Sequence, residues 1–370
     1  MHQLIDPQLQ RKAKLYTRKK DILHLIQILL SCGYLLVFYL SGISEEIALS
    51  VAGFSFPVAI ILYALFFLPL TIILLPLSFL SDYRIEKKFG LSTQKIGAWL
   101  TDQIKGLLLA IVLGYPLLLL LFFLFTHTPL YWWVFGGCGL FLFQLFVAII
   151  FPVLIFPLFF KQKPVEDKDF EKEVYSLFDE TRIKIRGVYS FNLSIKTKKE
   201  NALIAGFWKT RRILLADTLL ENRSKDEILV VLAHEIGHHV NRDLLKNMLI
   251  DLVTSFIILY AVHRIMIFFP GFPESLLSAL SLFPLFILFT GFFSFPIRIL
   301  VNTYSRYREK KADQAAITLT RNREAFISLM AGLANTNLSV AYPKKLKVLL
   351  SYSHPPIGQR IEYAQEMQYV

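Results

Sequence analysis

The chain has 370 residues, 55% of them hydrophobic and only 18% charged, with a mean hydropathy of +0.51 and a formal net charge of +12. Soluble domains run about 45–50% apolar and about 25% charged, so a soluble globular protein is excluded, as are disordered, collagen-like and coiled-coil chains. Cys32 and Cys138, the two cysteines, are too few for a disulfide scaffold and lack metal-type spacing, which leaves them as structural thiols.

Six apolar runs are long enough to cross a bilayer, which takes roughly 17–25 residues. They are Ile22–Leu40, Pro57–Leu80, Gly106–Phe125, Tyr131–Phe160, Asn247–Phe269 and Ser275–Ile297. The fourth is overlong and is expected to run past the bilayer after Pro152 and Pro157. Ile47–Phe56 is too short to span and reads as an outer loop or an extension of the second helix. No small-residue cleavage site follows the first run, so it reads as an uncleaved anchor. Six Lys/Arg lie in residues 1–21, five in 81–105, seventeen in 161–246 and eleven from Arg298 onward, with Arg264 left over. Alternating six spans from an inside N-terminus puts every basic segment on one side, the positive-inside pattern. The charge therefore maps topology and does not mark a nucleic-acid binder.

The expected fold is a mostly α, polytopic membrane protein with a cytosolic α+β domain. Residues 1–160 form a membrane domain of four spans, 161–246 the first polar part, 247–297 two further spans, and 298–370 the second polar part. In the polar part, Asp167–Arg182 reads as an amphipathic helix with Phe170, Val174, Leu177 and Phe178 on one face. Val188–Ser194, Ala202–Trp208 and Arg212–Leu215 read as strands of a small antiparallel sheet. Ser224 and Glu227 have the spacing of a capping box, opening a helix expected to lead into the fifth span.

On that helix sits His234-Glu235-Ile236-Gly237-His238. Residues four apart share a helix face, so both imidazoles can point at one ion, with Glu235 beside them. The set suits Zn2+, one per chain, with a position left open to water, and Glu235 as the general base of a metalloprotease. His239 lies about 100° round the helix from His238 and is not expected to ligate. A third ligand is needed. Glu309 and Asp313, one turn apart in Ser305–Asp313, can supply a ligand and a carboxylate that orients a ligand imidazole. Their spacing alone fits equally a surface helix laced with charge pairs. Asp226, Glu227 and Asp243 are weaker ligand candidates.

In this ordered set the chain resembles the type I CAAX prenyl proteases, integral-membrane zinc metalloproteases of the gluzincin kind. The resemblance rests on Ile85-Glu86-Lys87-Lys88-Phe89-Gly90, Phe156-Pro157-Leu158-Phe159, Asn201-Ala202 with Gly206-Phe207 before Arg212-Ile213-Leu214, the zinc motif, Glu309 with Ala312-Asp313, and His354-Pro355-Pro356 with Arg360. It implies a helical barrel around an intramembrane chamber, capped by the protease domain. It also implies Glu309 as third zinc ligand, Asp313 as partner of a ligand imidazole, Asn201 as a substrate-binding residue, and His354 and Arg360 as donors to the developing oxyanion. The eukaryotic members have seven spans; here one before Pro57 is missing. The implied activity is endoproteolysis of a peptide or protein, prenylated at a C-terminal cysteine, at the cytosolic face of a bacterial inner membrane or the endoplasmic reticulum. A membrane quality-control protease like the heat-shock protease HtpX is the alternative, and an inactive membrane scaffold a third reading. Intramembrane proteolysis of the site-2 type fits less well, because charged Lys225, Asp226, Glu227, Arg242, Asp243 and Lys246 flank the motif.

Overall fold

The structure, a computed structural model, describes residues 4–179, 181, 185–206, 211–269, 271–273 and 275–367. The predicted ends Arg182, Phe207 and Trp208 lie outside the described residues. Among the described residues, six helices are long and apolar enough to cross a membrane: Pro7–Leu40, Leu68–Lys88, Ile96–His127, Trp132–Phe159, Asp243–Phe268 and Leu276–Thr320. Many of their large side chains face outward, as at Ile72, Val112 and Leu300, which only lipid can cover. The protein is a multi-pass membrane protein.

Local chemistry accounts for the departures from the predicted spans. The second span breaks at Phe66–Phe67 into Phe56–Leu65 and a helix starting at Leu68, because Pro69 has no N–H to continue the ladder and disfavours helical geometry before it. Of Ile47–Phe56, residues 47–50 belong to a helix of their own, Ile43–Ser50, which buries Ile47 and Ala48 with Tyr63 and Phe283 in the bundle core, while 51–55 form a turn before the next helix. The second and fourth spans each contain a π-helical stretch near their C-terminal end, Phe79–Ile85 just after Pro76 and Phe151–Ile155 around Pro152. The sixth helix does not stop at Ile297. It continues unbroken through Pro284 and Pro296 to Thr320, 45 residues in all. An apolar chamber of about 1190 Å³ lies among the first, second, fifth and sixth spans, lined by Ile28, Cys32, Leu74, Ile265 and Phe289.

The soluble part holds a four-stranded sheet: β1 Gln162–Pro164, β2 Val188–Phe191, β3 Ala202–Ala205 and β4 Arg212–Ala216, in the order β1-β2-β4-β3. The expectation of an all-antiparallel sheet is corrected here. β2 pairs parallel with β4, Val188 opposite Ile213, while β3 forms an antiparallel hairpin with β4, Leu203 opposite Leu214. The chain leaving β2 crosses over β4 to the far edge, so neighbours in sequence are not all neighbours in space. β1 escaped the sequence reading because Gln162-Lys163-Pro164 has no apolar alternation, and its proline suits an edge strand. Ile213, Leu214, Leu215 and Ala216 are fully buried, as a central strand covered on both faces must be.

Candidate metal centre and peptide cleft

Helix Lys225–Val240 starts as predicted. Glu227 N donates to Ser224 Oγ and Ser224 N donates to Glu227 Oε2, closing the capping box. The helix is then pinned on two sides. Ile228, Leu232 and Ile236 face the sheet core with Leu215 and Phe178. Val230 and Ala233 face a second core with Phe326, Leu329 and Ile361. What remains uncovered is the stripe carrying His234, Glu235 and His238. Gly237 brings this stripe against the long sixth helix: a Cβ there would sit 3.0 Å from the Ala312 Cα and 3.2 Å from its carbonyl oxygen. Only glycine permits that approach, and the approach delivers Glu309 and Asp313 to the histidines.

The helix does not run on into the fifth span as expected. It ends at Asn241, and Arg242 (φ 54°) reverses the chain before Asp243 opens the next helix. That break lets the Asp243 carboxylate return to His238, with Oδ2 2.9 Å from Nδ1.

The donor atoms converge. His234 Nε2 lies 3.2 Å from His238 Nε2 and 3.4 Å from Glu309 Oε2, and His238 Nε2 lies 3.4 Å from Glu309 Oε1. An ion with metal–nitrogen and metal–oxygen bonds of about 2.0–2.1 Å holds tetrahedral ligands about 3.3 Å apart, so this set fits such an ion. A buried carboxylate facing two imidazoles at this spacing also favours a cation between them. Burial pulls the His234 imidazole down, but its contacts with Asp313 and Glu309 prevail and push it up to about 9. His238 is likewise raised against burial by Glu309. His239 is the opposite case. Burial, with Arg211 and His238 nearby, lowers it to about 4, and it lies outside the converging set.

Behind the converging donor atoms stand further carboxylates. Asp313 Oδ1 is 2.9 Å from His234 Nδ1, a close contact whose N–H is poorly aligned with the oxygen. Asp313 is itself gripped by Arg360, with Nε–Oδ2 at 2.8 Å and Nη2–Oδ1 at 2.5 Å. Two nitrogens of Arg360, expected as an oxyanion donor, hold Asp313, while its side chain also lines the pocket that holds Glu235 and His354. Asp243, set down as a weak ligand candidate, partners His238 instead. Asp226 and Glu227 are not near the donors: Asp226 accepts from Asn322, and Glu227 serves the cap and Ser328. The half-exposed His354 points Nδ1 at Glu309 Oε2, 2.8 Å away.

A cleft runs along β3, the open edge of the sheet. On one side of Glu235 and Glu309 it is lined by Asn201, Ala202, Val231, Phe326, Met330, His354 and Arg360. On the other it is lined by Ile204, His239, Asp243, Asn247 and the buried Arg308, which stacks over Tyr304. The sequence reading missed Arg308 because it reads as one more charge in a run of surface charges.

Comparison with known proteins agrees with this architecture. Residues 164–368 match the description "Peptidase family M48", and residues 1–161 match "CAAX prenyl protease N-terminal, five membrane helices". Among the described residues that N-terminal part has four helices of spanning length and the shorter Phe56–Leu65. The chain therefore belongs to peptidase family M48, on its CAAX prenyl protease side, and is a membrane zinc metalloendopeptidase. The match over residues 1–161 disfavours the HtpX-like alternative. The chain is 30% identical to the uncharacterized metalloprotease YhfN of Bacillus subtilis, over 96% of this chain and 85% of that protein. It is 30% identical to CAAX prenyl protease 1 of Saccharomyces cerevisiae, over 79% and 68% respectively. The crystal structure of S. mikatae Ste24p superposes with a TM-score of 0.87 at 26% identity, covering 98% of this chain and 90% of that one.

Proposed function

We propose that a single Zn2+ is held by His234, His238 and Glu309, and that the enzyme cleaves protein segments laid along β3 on the cytosolic side of the membrane. The observation that carries the metal assignment is the mutual spacing of the three donors, 3.2–3.4 Å. When bound there, zinc supplies Lewis acidity to the scissile carbonyl and lowers the pKa of water. Glu235, at the junction of both halves of the cleft, takes the proton of the attacking water and passes it to the leaving amine. His354, on the exposed lip, donates to the developing oxyanion. Asp313 and Asp243 orient the two imidazoles through their Nδ1 atoms, and Arg360 keeps Asp313 in place. An extended peptide adds to the open edge of β3 by main-chain hydrogen bonds, assisted by the Asn201 side chain. The pocket walled by Val231, Phe326 and Met330 accepts an apolar residue beside the cleaved bond.

The cytosolic assignment follows the distribution of basic residues. For substrate, relatives are named CAAX prenyl proteases, and the apolar chamber suits a prenyl chain attached near the cleaved bond. Two measurements test this. Glu235→Gln is expected to keep its zinc and lose turnover by about 10²–10⁴-fold, and normal turnover would sink the mechanism. A farnesylated peptide is expected to be cleaved faster than its plain counterpart; equal rates would remove prenylation from the specificity while leaving the zinc chemistry intact. Glu309→Ala is expected to lose zinc.

A further inference from the structure

We propose a second site, separate from the metal centre, that takes the head group of an anionic phospholipid at the ends of the third and fourth spans. Between Lys105 and Lys161 the sequence has no Asp, Glu, Lys or Arg. Lys105 is thus the last charge before the chain enters the membrane, and Lys161 the first after it returns. The structure brings these two ends together against the segment Asn192–Lys196 of the protease domain, around a pocket of about 630 Å³.

Four lysines line this pocket, Lys95, Lys105, Lys161 and Lys196, against one carboxylate, Asp102. Asp102 is already engaged, 2.8 Å from Lys196 Nζ and accepting from Gln94 at 2.6 Å. Lys105 Nζ donates to the Leu158 carbonyl at 2.9 Å, which aims the ammonium into the pocket while leaving further N–H donors. Lys95 and Lys161 are exposed and have no ion-pair partner among the described residues. Lys196 lies 4.4 Å over the Phe160 ring and 5.3 Å over that of Phe159. The remaining wall is apolar: Ala98, Pro157, Leu158, Phe159 and Ile195.

Three lysines with no carboxylate of their own fit a phosphate diester. The apolar wall, continuous with two membrane-entering helices, fits the glycerol and first methylenes below it, so the anion is a lipid and not a soluble phosphate. Basic pockets between helices on the positive side of a membrane bind such head groups, at about 1 kcal/mol per basic residue. The site also reaches the cleft. The Lys196 carbonyl accepts from Thr93 N at 3.1 Å, and Lys198 N donates to the Leu91 carbonyl at 2.8 Å; three residues on, the chain is Asn201 and then β3. A lipid seated in this pocket lies against the segment that leads to the substrate-binding edge.

The test is to exchange the purified, full-length protein in mixed micelles of phosphatidylcholine and phosphatidylglycerol, and to count co-purifying lipids by mass spectrometry. Preferential retention of phosphatidylglycerol is expected. It should fall roughly five-fold per lysine in Lys105→Gln/Lys161→Gln, stay unchanged in Lys344→Gln outside the pocket, and rise in Asp102→Asn. Zinc content and thermal unfolding of each variant report whether it folds. Should the double variant fail to fold, Lys95→Gln, at an exposed position, reads the same selectivity. Equal retention of both lipids by the unaltered protein overturns the proposal. So does unchanged selectivity in the lysine variants, or displacement of the lipid by inorganic phosphate as effectively as by phosphatidylglycerol.

Discussion

The two imidazoles of the metal centre are supported in different ways. His234 is backed by Asp313, 1% exposed and doubly bonded by Arg360 from the C-terminal helix Ile357–Glu366. His238 is backed by Asp243, the first residue of the fifth membrane helix, with Lys246 3.7 Å from the same carboxylate. One ligand is tied into the core of the soluble domain, and the other is tied to a membrane helix. The site therefore joins the two parts of the molecule, and its geometry depends on both. A buried ion pair such as Asp313–Arg360 is costly to break from one side, whereas Asp243, at a helix start, has one close contact with His238 and a looser one with Lys246.

That asymmetry can be broken at either end. The largest effect is expected from Arg360→Ala, which leaves the buried Asp313 charge without its partner and should cost about 3–5 kcal/mol of stability. Denaturant or thermal unfolding of the detergent-solubilised protein reads this. Arg360→Lys should recover only part, since an ammonium cannot make the two-pronged contact. Next comes Asp243→Asn, expected to weaken zinc binding by about 10–100-fold with a smaller loss of stability than Arg360→Ala. A chelator competition measures the first, and the reverse ranking of stabilities would refute the asymmetry. Gly237→Ala forces the zinc helix away from Ala312, for roughly 1–3 kcal/mol of overpacking, and should lower zinc affinity without touching a ligand. The smallest effect is in pH. His234 must shed its proton to ligate, and its pKa of about 9 lies above neutrality. Below about 9 the proton competes, so zinc affinity should rise with pH, His234 contributing at most about ten-fold per unit, and this contribution levels off above that value. An affinity independent of pH across that range would contradict the carboxylate contacts described for His234.

The parts of this protein set by short-range chemistry are legible in its sequence. Membrane helices need long unbroken apolar runs, so six were countable, and the capping box at Ser224 is visible because it needs only two residues three apart. The zinc motif is legible for the same reason: one helical turn fixes the relation of His234 to His238. What depends on distant contacts was not legible. β2 pairing parallel with β4 is decided by where the chain crosses, and β1 exists only because β2 offers it an edge. Asp243 sits five residues after His238, a spacing that points away on a continuous helix and becomes correct only after the reversal at Arg242. The contact between Arg360 and Asp313, 47 residues apart, was likewise invisible to spacing, because only the fold brings the C-terminal helix against the sixth.

One last consequence lies in the helix Leu276–Thr320. Glu309 stands 33 residues along a single rod from its far end, roughly 50 Å at 1.5 Å per residue. A change of tilt of about 3° swings the Glu309 end by about 2.5 Å if the far end is held, while a zinc site tolerates errors of about 0.2 Å. Helices in bilayers tilt with the thickness of the surrounding hydrocarbon. Glu309, the proposed third ligand, is thus mounted on a lever whose fulcrum is the lipid, and the tight seat between Gly237 and Ala312 is the bearing that stops it from swinging.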